Sequence, residues 1–288
     1  MANNLTQRIL FAVVAIPIVL LVAWYGGAPL AALIAIAGVL GALELARFAR
    51  RQGLAPSRPL VVLAAAGIPT LAWLVQREPD GGALVARWWP YAVALWVMLI
   101  LVDTLARLAP DRRPLASAAV TVLAPLYAAG LPAFLLAIRH SGHGLRSLEG
   151  TALVLFPVIT VWICDTAAMS VGRKVGGPRL APTVSPGKTW SGTIGGFIGA
   201  LVVAPVYQAA VFTPLGMDLS PGLLLGIAGL IGILGQIGDL AESLLKREAG
   251  LKDSSHLIPG HGGVLDRLDS LYFAIPLAAF CYRLAGVI

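Results

Sequence analysis

Charged side chains are scarce in this chain. They make up 12% of its 288 residues, against roughly 25% in a soluble domain. No long polar block separates the apolar runs, so a separate soluble domain is excluded. Cysteine is nearly absent: Cys164 and Cys281 both lie inside apolar runs, which rules out a disulfide framework and any cysteine-based metal spacing. No internal repeat, low-complexity linker, HExxH pair or GxxxxGK[ST] loop occurs. The first apolar run, after Arg8, imitates a signal peptide. No soluble stretch follows it, so a retained first span is expected.

What the chain has is hydrocarbon: 58% of its residues are hydrophobic. The apolar runs approach the roughly 20 residues that cross a bilayer as helix. In lipid the backbone must satisfy its own hydrogen bonds, and runs of this length do so as helices rather than barrel strands. Nine spans are predicted, near 8–25, 28–46, 59–76, 89–107, 115–138, 151–172, 190–212, 221–245 and 270–287. The expected fold is an all-α, polytopic helical membrane protein. It forms a single membrane domain over 1–288, with five spans in 1–150 and four in 151–288 carrying the catalytic loops.

With the N-terminus in the cytoplasm, the 21 basic residues divide roughly three to one in favour of that side. Only Arg77, Arg87, Arg139, Arg146 and Arg283 fall opposite. The net charge of +7 is therefore mainly a topology signal, and no nucleic-acid partner is implied. The loops RFARRQGLAPSR and RLAPDRRP read as anchors at the membrane surface.

Charge that does more than anchor gathers in two places. In GQIGDLAESLLKR, Asp239, Glu242 and Lys246 share one helical face. Asp239 is an acid at the membrane boundary, costly unless paired, metal-bound or wet. An internal acid–lysine pair that merely orients the helix is the bland alternative. In VLDRLDSLYF, Asp266 and Asp269 stand three apart at a helix entry, where a cap would also suit one of them. Between them PGHGG favours a turn that lets backbone approach a ligand. His261 in that turn is a candidate phosphate donor, His256 reads as a solvated loop residue, and His140 and His143 carry no assignment. Oxygen ligands dominate this cluster, which favours Mg²⁺ over Zn²⁺. Lys246, Arg247, Lys252 and Arg267 supply more cation than such a metal needs and suit a polyanion.

The loop between the sixth and seventh spans holds Asp165 in an apolar run, then Arg173, Lys174, Arg179 and Lys188. Its SPGKT segment sets Ser185, Lys188 and Thr189 before a helix start, as a phosphate cradle would. Acidic helix ends for a divalent ion, basic loops for phosphates and lipid access from the bilayer describe phosphoryl or nucleotidyl transfer onto a lipid. The central expectation is that Asp239 and Asp266 converge on one ion at the cytosolic boundary.

Residues 243–270 resemble the signature of phosphatidate cytidylyltransferases, the CDP-diacylglycerol synthases. Ser-x-x-Lys-Arg, Lys-Asp, Pro-x-His-Gly-Gly and Asp-Arg-x-Asp are all present, and Asp-Thr-Ala-Ala and Ser-Pro-x-Lys-Thr within 165–196 are similar to the same family. Gly177 and Gly187 stand where many relatives carry lysine. The resemblance implies CTP and phosphatidate as substrates, CDP-diacylglycerol and pyrophosphate as products, and Mg²⁺ with room for a monovalent cation such as K⁺. It also implies a homodimer in the bacterial inner membrane, with the site facing the cytoplasm. Asp239, Asp266 and Asp269 would bind metal, joined as catalytic residues by Asp165 and Lys246. Ser185, Lys188, Thr189, Arg247, Lys252, His261 and Arg267 would contact substrate. Two other readings stay open: an ion-coupled transporter using the same acids, and a different lipid nucleotidyl- or phosphotransferase.

Overall fold

The computed structural model describes residues 2–78, 80–258, 260 and 262–288, without the side chains of 2–12. Helices occupy all nine predicted stretches. These are α1 (Ala2–Tyr25), α2 (Gly27–Arg51), α3 (Arg58–Arg77), α4 (Gly81–Arg107), α5 (Pro114–Pro125) continuing into α6 (Leu131–His140), α7 (Leu148–Val175), α8 (Trp190–Tyr207), α9 (Pro221–Glu248) and, after the single turn α10 (Leu265–Leu268), α11 (Leu271–Leu284). Among the described residues, seven helical segments are long and apolar enough to cross a membrane, while Val13–Tyr25 and Leu271–Leu284 are shorter apolar helices. α4 starts at Gly81, ahead of the expected 89; the added residues, GGALVARW, are apolar apart from Arg87 and contain no proline to stop a helix. Among the described residues the chain departs from helix in a small antiparallel hairpin, β1 (Arg179–Ala181) and β2 (Ser185–Thr189).

Large apolar side chains remain exposed along the helices. α4 alone presents Trp88, Trp89, Leu95, Leu101 and Leu105 outward, a surface suited to hydrocarbon rather than water. α5 and α6 are joined by one π turn, Leu126–Gly130, and α8 runs into another, Gln208–Phe212. Each follows shortly after a proline, Pro125 or Pro205. A proline lacks the N–H of the helical ladder and crowds the preceding turn, so the ladder is already loosened there.

The chain forms two compact units. The first comprises residues 1–22, 26–136 and 248–267. Leu30, Ala31 and Ile34 of α2 pack with Leu136, flanked by Val22, Ala72, Trp73 and Leu135. α2 also passes close to the π turn at Gly38, where a β-carbon would lie 2.6 Å from that of Ala129. The 52–57 loop is fastened to α5 by Ala55 N–H donating to Ser117 Oγ and Ser57 N–H to Thr121 Oγ1, each at 3.0 Å.

The second unit comprises 23–25, 137–247 and 268–288. Here α7 and α8 pack closely through small residues: a β-carbon at Gly196 would lie 3.0 Å from both Ala168 Cβ and Cys164 O. Tyr207 and Tyr282 donate to the carbonyls of Ala152 and Leu153. Arg139 is fully buried. Its guanidinium donates to Ala23 O (2.7 Å), Trp24 O (2.5 Å) and Gly144 O (3.0 Å). An arginine counted only among the charges opposite the cytoplasm thus closes the C-terminal carbonyls of α1.

Candidate active site

In the second unit the polar end of α9 faces the hairpin. Lys188, on β2, points its Nζ to 2.7 Å from Asp239 Oδ2 and also to Gln236 O at 3.4 Å. Ser243, one turn along α9, donates to Asp239 Oδ1 at 3.3 Å. The buried Glu242 pairs with Lys246 along the same helix. The three α9 residues expected on one face are there, and each acid has its own lysine: Lys246 for Glu242, Lys188 for Asp239.

The hairpin is held where Lys188 can reach. Thr189 is buried and caps α8 by accepting Gly192 N–H at 3.1 Å. Arg247 Nε donates to Val184 O at 3.2 Å, tying the hairpin turn to the end of α9. Ser185 pairs with Ala181 across the hairpin and is half-buried. Arg173, Lys174 and Arg179 stay exposed beside it.

Asp269 comes close to α9 because glycine lines that helix. A β-carbon at Gly238 would lie 2.8 Å from Asp269 O and 3.0 Å from the Phe273 ring. Burial, and then the neighbouring charge of Asp239, push the Asp269 carboxyl up to about 8. Glu242 and Asp165 push the same way, and the Ser270 N–H opposes them. Asp165 is exposed on α7. The structure therefore brings together Asp239, Asp269 and Lys188, with Asp165 and Glu242 contributing to the field.

Among the described residues no group of three or more His, Cys, Asp or Glu side chains is arranged to hold a metal. The Asp239–Asp269 pair is the donor set that could hold a hard cation. Its donors are all carboxylate oxygens, and their mutual repulsion is relieved by positive charge. Mg²⁺ is commonly held by one or two carboxylates, with water and substrate phosphate filling its shell.

Asp266 belongs to the first unit, where the 252–266 loop folds. Its Oδ2 accepts Ser254 N–H (2.8 Å), Ser254 Oγ–H (2.7 Å) and Gly263 N–H (2.8 Å). This oxygen organises the loop, reaching back three residues as the second half of a capping box does. α11 is instead entered from Ser270. Lys252 and Arg267 are exposed at the two ends of the loop. Ile258 N–H closes its turn onto Gly262 O at 2.9 Å. His261 lies outside the described residues.

The same loop rests on a residue with no role in the expected site. Glu44, buried on α2, accepts hydrogen bonds from Ser255, Val264 and Leu265, and its Oε2 lies 3.0 Å from the Ser254 hydroxyl. The signal that marks Asp165, an acid inside an apolar run, marks Glu44 equally and was sufficient to find it.

Residues 6–285 match the cytidylyltransferase family. The chain belongs to this family. Among its relatives, the phosphatidate cytidylyltransferase of Haemophilus influenzae is 44% identical over 149 residues, covering 51% of this chain and 50% of that protein. That of Brucella suis is 43% identical over 155 residues, 54% of each chain. That of Staphylococcus saprophyticus is 40% identical over 148 residues, 50% of this chain and 55% of the relative. The chain thus spans about half the length of the curated relatives it matches. In this family member the acid and lysine side chains of α9 and β2, set at the end of apolar helices, are the chemistry to be explained.

Proposed function

We propose that the protein transfers the cytidylyl group of CTP to phosphatidate, giving CDP-diacylglycerol and pyrophosphate. The observation that carries this reading is the contact of Lys188 with Asp239 beside the charge-repelled Asp269, in a chain of the cytidylyltransferase family. A phosphate oxygen of phosphatidate forms the new bond to the α-phosphorus of CTP. The bond from that phosphorus to the bridging oxygen of the β-phosphate breaks, and pyrophosphate leaves with the electron pair. The attacking oxygen is already anionic, so no strong base is required. The obstacle is repulsion between phosphates.

Asp239 and Asp269 would hold Mg²⁺, which when bound draws charge off the phosphates. Lys188 is oriented by Asp239 and Gln236 O, so its ammonium is fixed before substrate arrives, as electrostatic preorganisation requires. Arg247 holds the hairpin that carries Lys188, and the exposed Arg173, Lys174 and Arg179 are available to anionic phosphates. Thr189 contributes by starting α8 in place. Lys246 is paired with Glu242 and keeps that buried acid neutralised beside Asp239.

An orientation with the N-terminus and basic loops cytoplasmic follows from the charge asymmetry. The bacterial inner membrane and a homodimer are supported by the family resemblance. Purified protein in detergent, given phosphatidate and each of the four nucleoside triphosphates, tests the reaction. CDP-lipid and pyrophosphate are expected with CTP and Mg²⁺ but not with EDTA. No lipid product from any nucleotide, in the absence of a gradient, would favour the transporter reading.

A further inference from the structure

We infer that Glu44 is a positioning residue for the reaction, clasping Ser254 and Ser255 to Val264 and Leu265 so that the backbone bearing Lys252, Asp266 and Arg267 is held in place. The inference rests on the cytidylyl-transfer reading. Its basis is a set of contacts inside the first unit. Glu44 Oε1 accepts Ser255 Oγ–H at 2.6 Å and Val264 N–H at 3.1 Å. Glu44 Oε2 accepts Leu265 N–H at 2.9 Å and approaches Ser254 Oγ to 3.0 Å. Oε1 therefore takes one hydroxyl and one backbone N–H, Oε2 takes one backbone N–H with the Ser254 hydroxyl beside it, and the two ends of the loop are drawn to one side chain.

Ser254 extends the clasp. Its hydroxyl lies between Glu44 Oε2 and Asp266 Oδ2, and its own N–H is held by Asp266. Gly263 is the residue that makes room. A β-carbon there would collide with Ser254 Oγ and both Glu44 oxygens, and one at Gly262 would lie 2.6 Å from Asp266 Oδ2. Gly262 also has φ +84, a conformation costly for any side chain. The Gly-Gly pair thus suits a backbone wrapped around two carboxylates, with Glu44 buried and Lys252 and Arg267 left in solvent.

Neither substitute of similar size reproduces this. Glutamine offers one acceptor oxygen, and in either orientation its NH₂ opposes a backbone N–H, of Val264 or of Leu265. Aspartate keeps both acceptors but is one methylene short. The ordering expected from the geometry is Glu44, then Asp, then Gln and Ala.

The test is full-length protein in lipid nanodiscs, read by hydrogen exchange and by CDP-lipid formation. For Glu44→Gln, faster exchange is expected at Ser254, Val264 and Leu265, with α7 and α8 unchanged. Its kcat should fall at least tenfold while KM for CTP changes less than threefold, and Glu44→Asp should recover part of the loss. Should Glu44→Gln fail to fold, Ser255→Ala, which removes one donor, is expected to show the same two effects in weaker form. Unchanged exchange in the loop, or a kcat within twofold of wild type for a folded Glu44→Ala, would overturn the inference. Wild-type protein that makes no CDP-lipid would sink the reaction reading instead, and the exchange measurement would still decide whether the clasp exists.

Discussion

Lys188 Nζ and Asp239 Oδ2 meet at 2.7 Å, a β-hairpin residue against a membrane helix. Both side chains keep some solvent contact, so the pair contributes little to stability by itself. Its consequence is orientation. Asp239→Asn should lower kcat/KM by about a hundredfold or more with little change in melting temperature. Lys188→Ala should raise KM for CTP as well as lowering kcat. Steady-state kinetics on folded, membrane-inserted protein separates these effects. An Asp239→Asn enzyme with near-normal turnover would remove Asp239 from the chemistry.

Asp269 predicts a pH dependence. An ordinary aspartate has the value 3.8, and here burial and Asp239 lift the carboxyl to about 8. The folded protein then binds its proton more tightly than the unfolded chain does. Stability from this group is fully present below 3.8 and is lost as pH rises through about 8. Metal-free protein in EDTA should melt lower at pH 9 than at pH 5, and Asp269→Asn should flatten that slope. Mg²⁺ should restore stability most at the alkaline end, because it competes with the proton.

Gly238 sets how closely Asp269 approaches α9. Gly238→Ala places a methyl 2.8 Å from Asp269 O and should cost about 1–3 kcal/mol through overpacking. Activity per folded molecule should fall with it, since the two carboxylates are pushed apart. Gly226→Ala, with open space around it on the same helix, is the control. Thermal melts and turnover measured side by side distinguish the two.

Most of the helical fold was legible in the sequence. Apolar run length determined where helices lie, because in hydrocarbon the backbone has few other choices. The residues gathered at Asp239 were legible for the same reason: an acid at a membrane boundary demands a partner. The identity of that partner was not. Lys246 shares a helical face with both acids, and periodicity alone cannot say that Lys188, distant in sequence, takes Asp239. Asp266 was read from its spacing to Asp269, yet its contacts run backward to Ser254 and Gly263, which depend on a loop conformation that no periodicity encodes. Glu44 carried the same signal as Asp165, an acid inside an apolar run, but which residues it holds was not legible because they lie far along the chain.

Arg139 illustrates a charge whose role is purely structural. Arg139→Ala leaves the carbonyls of Ala23, Trp24 and Gly144 without their donor, at a cost of about 3 kcal/mol or more. Melting temperature and expression should drop, while kcat per folded molecule stays near wild type. Lysine, with no planar fork, should rescue only part of the loss.

Residues 248–267 complete the first unit although most of that unit is made from the first 136 residues. A ribosome emitting this protein would therefore release the early helices long before the segment that finishes their polar end. Until then Glu44 must wait in the bilayer with its eventual donors unsynthesised. Truncation anywhere ahead of Arg267 should leave the early helices inserted yet unfinished, exposed to proteolytic quality control, and no cut of the chain into an N-terminal and a C-terminal fragment near residue 136 would give a self-sufficient first piece.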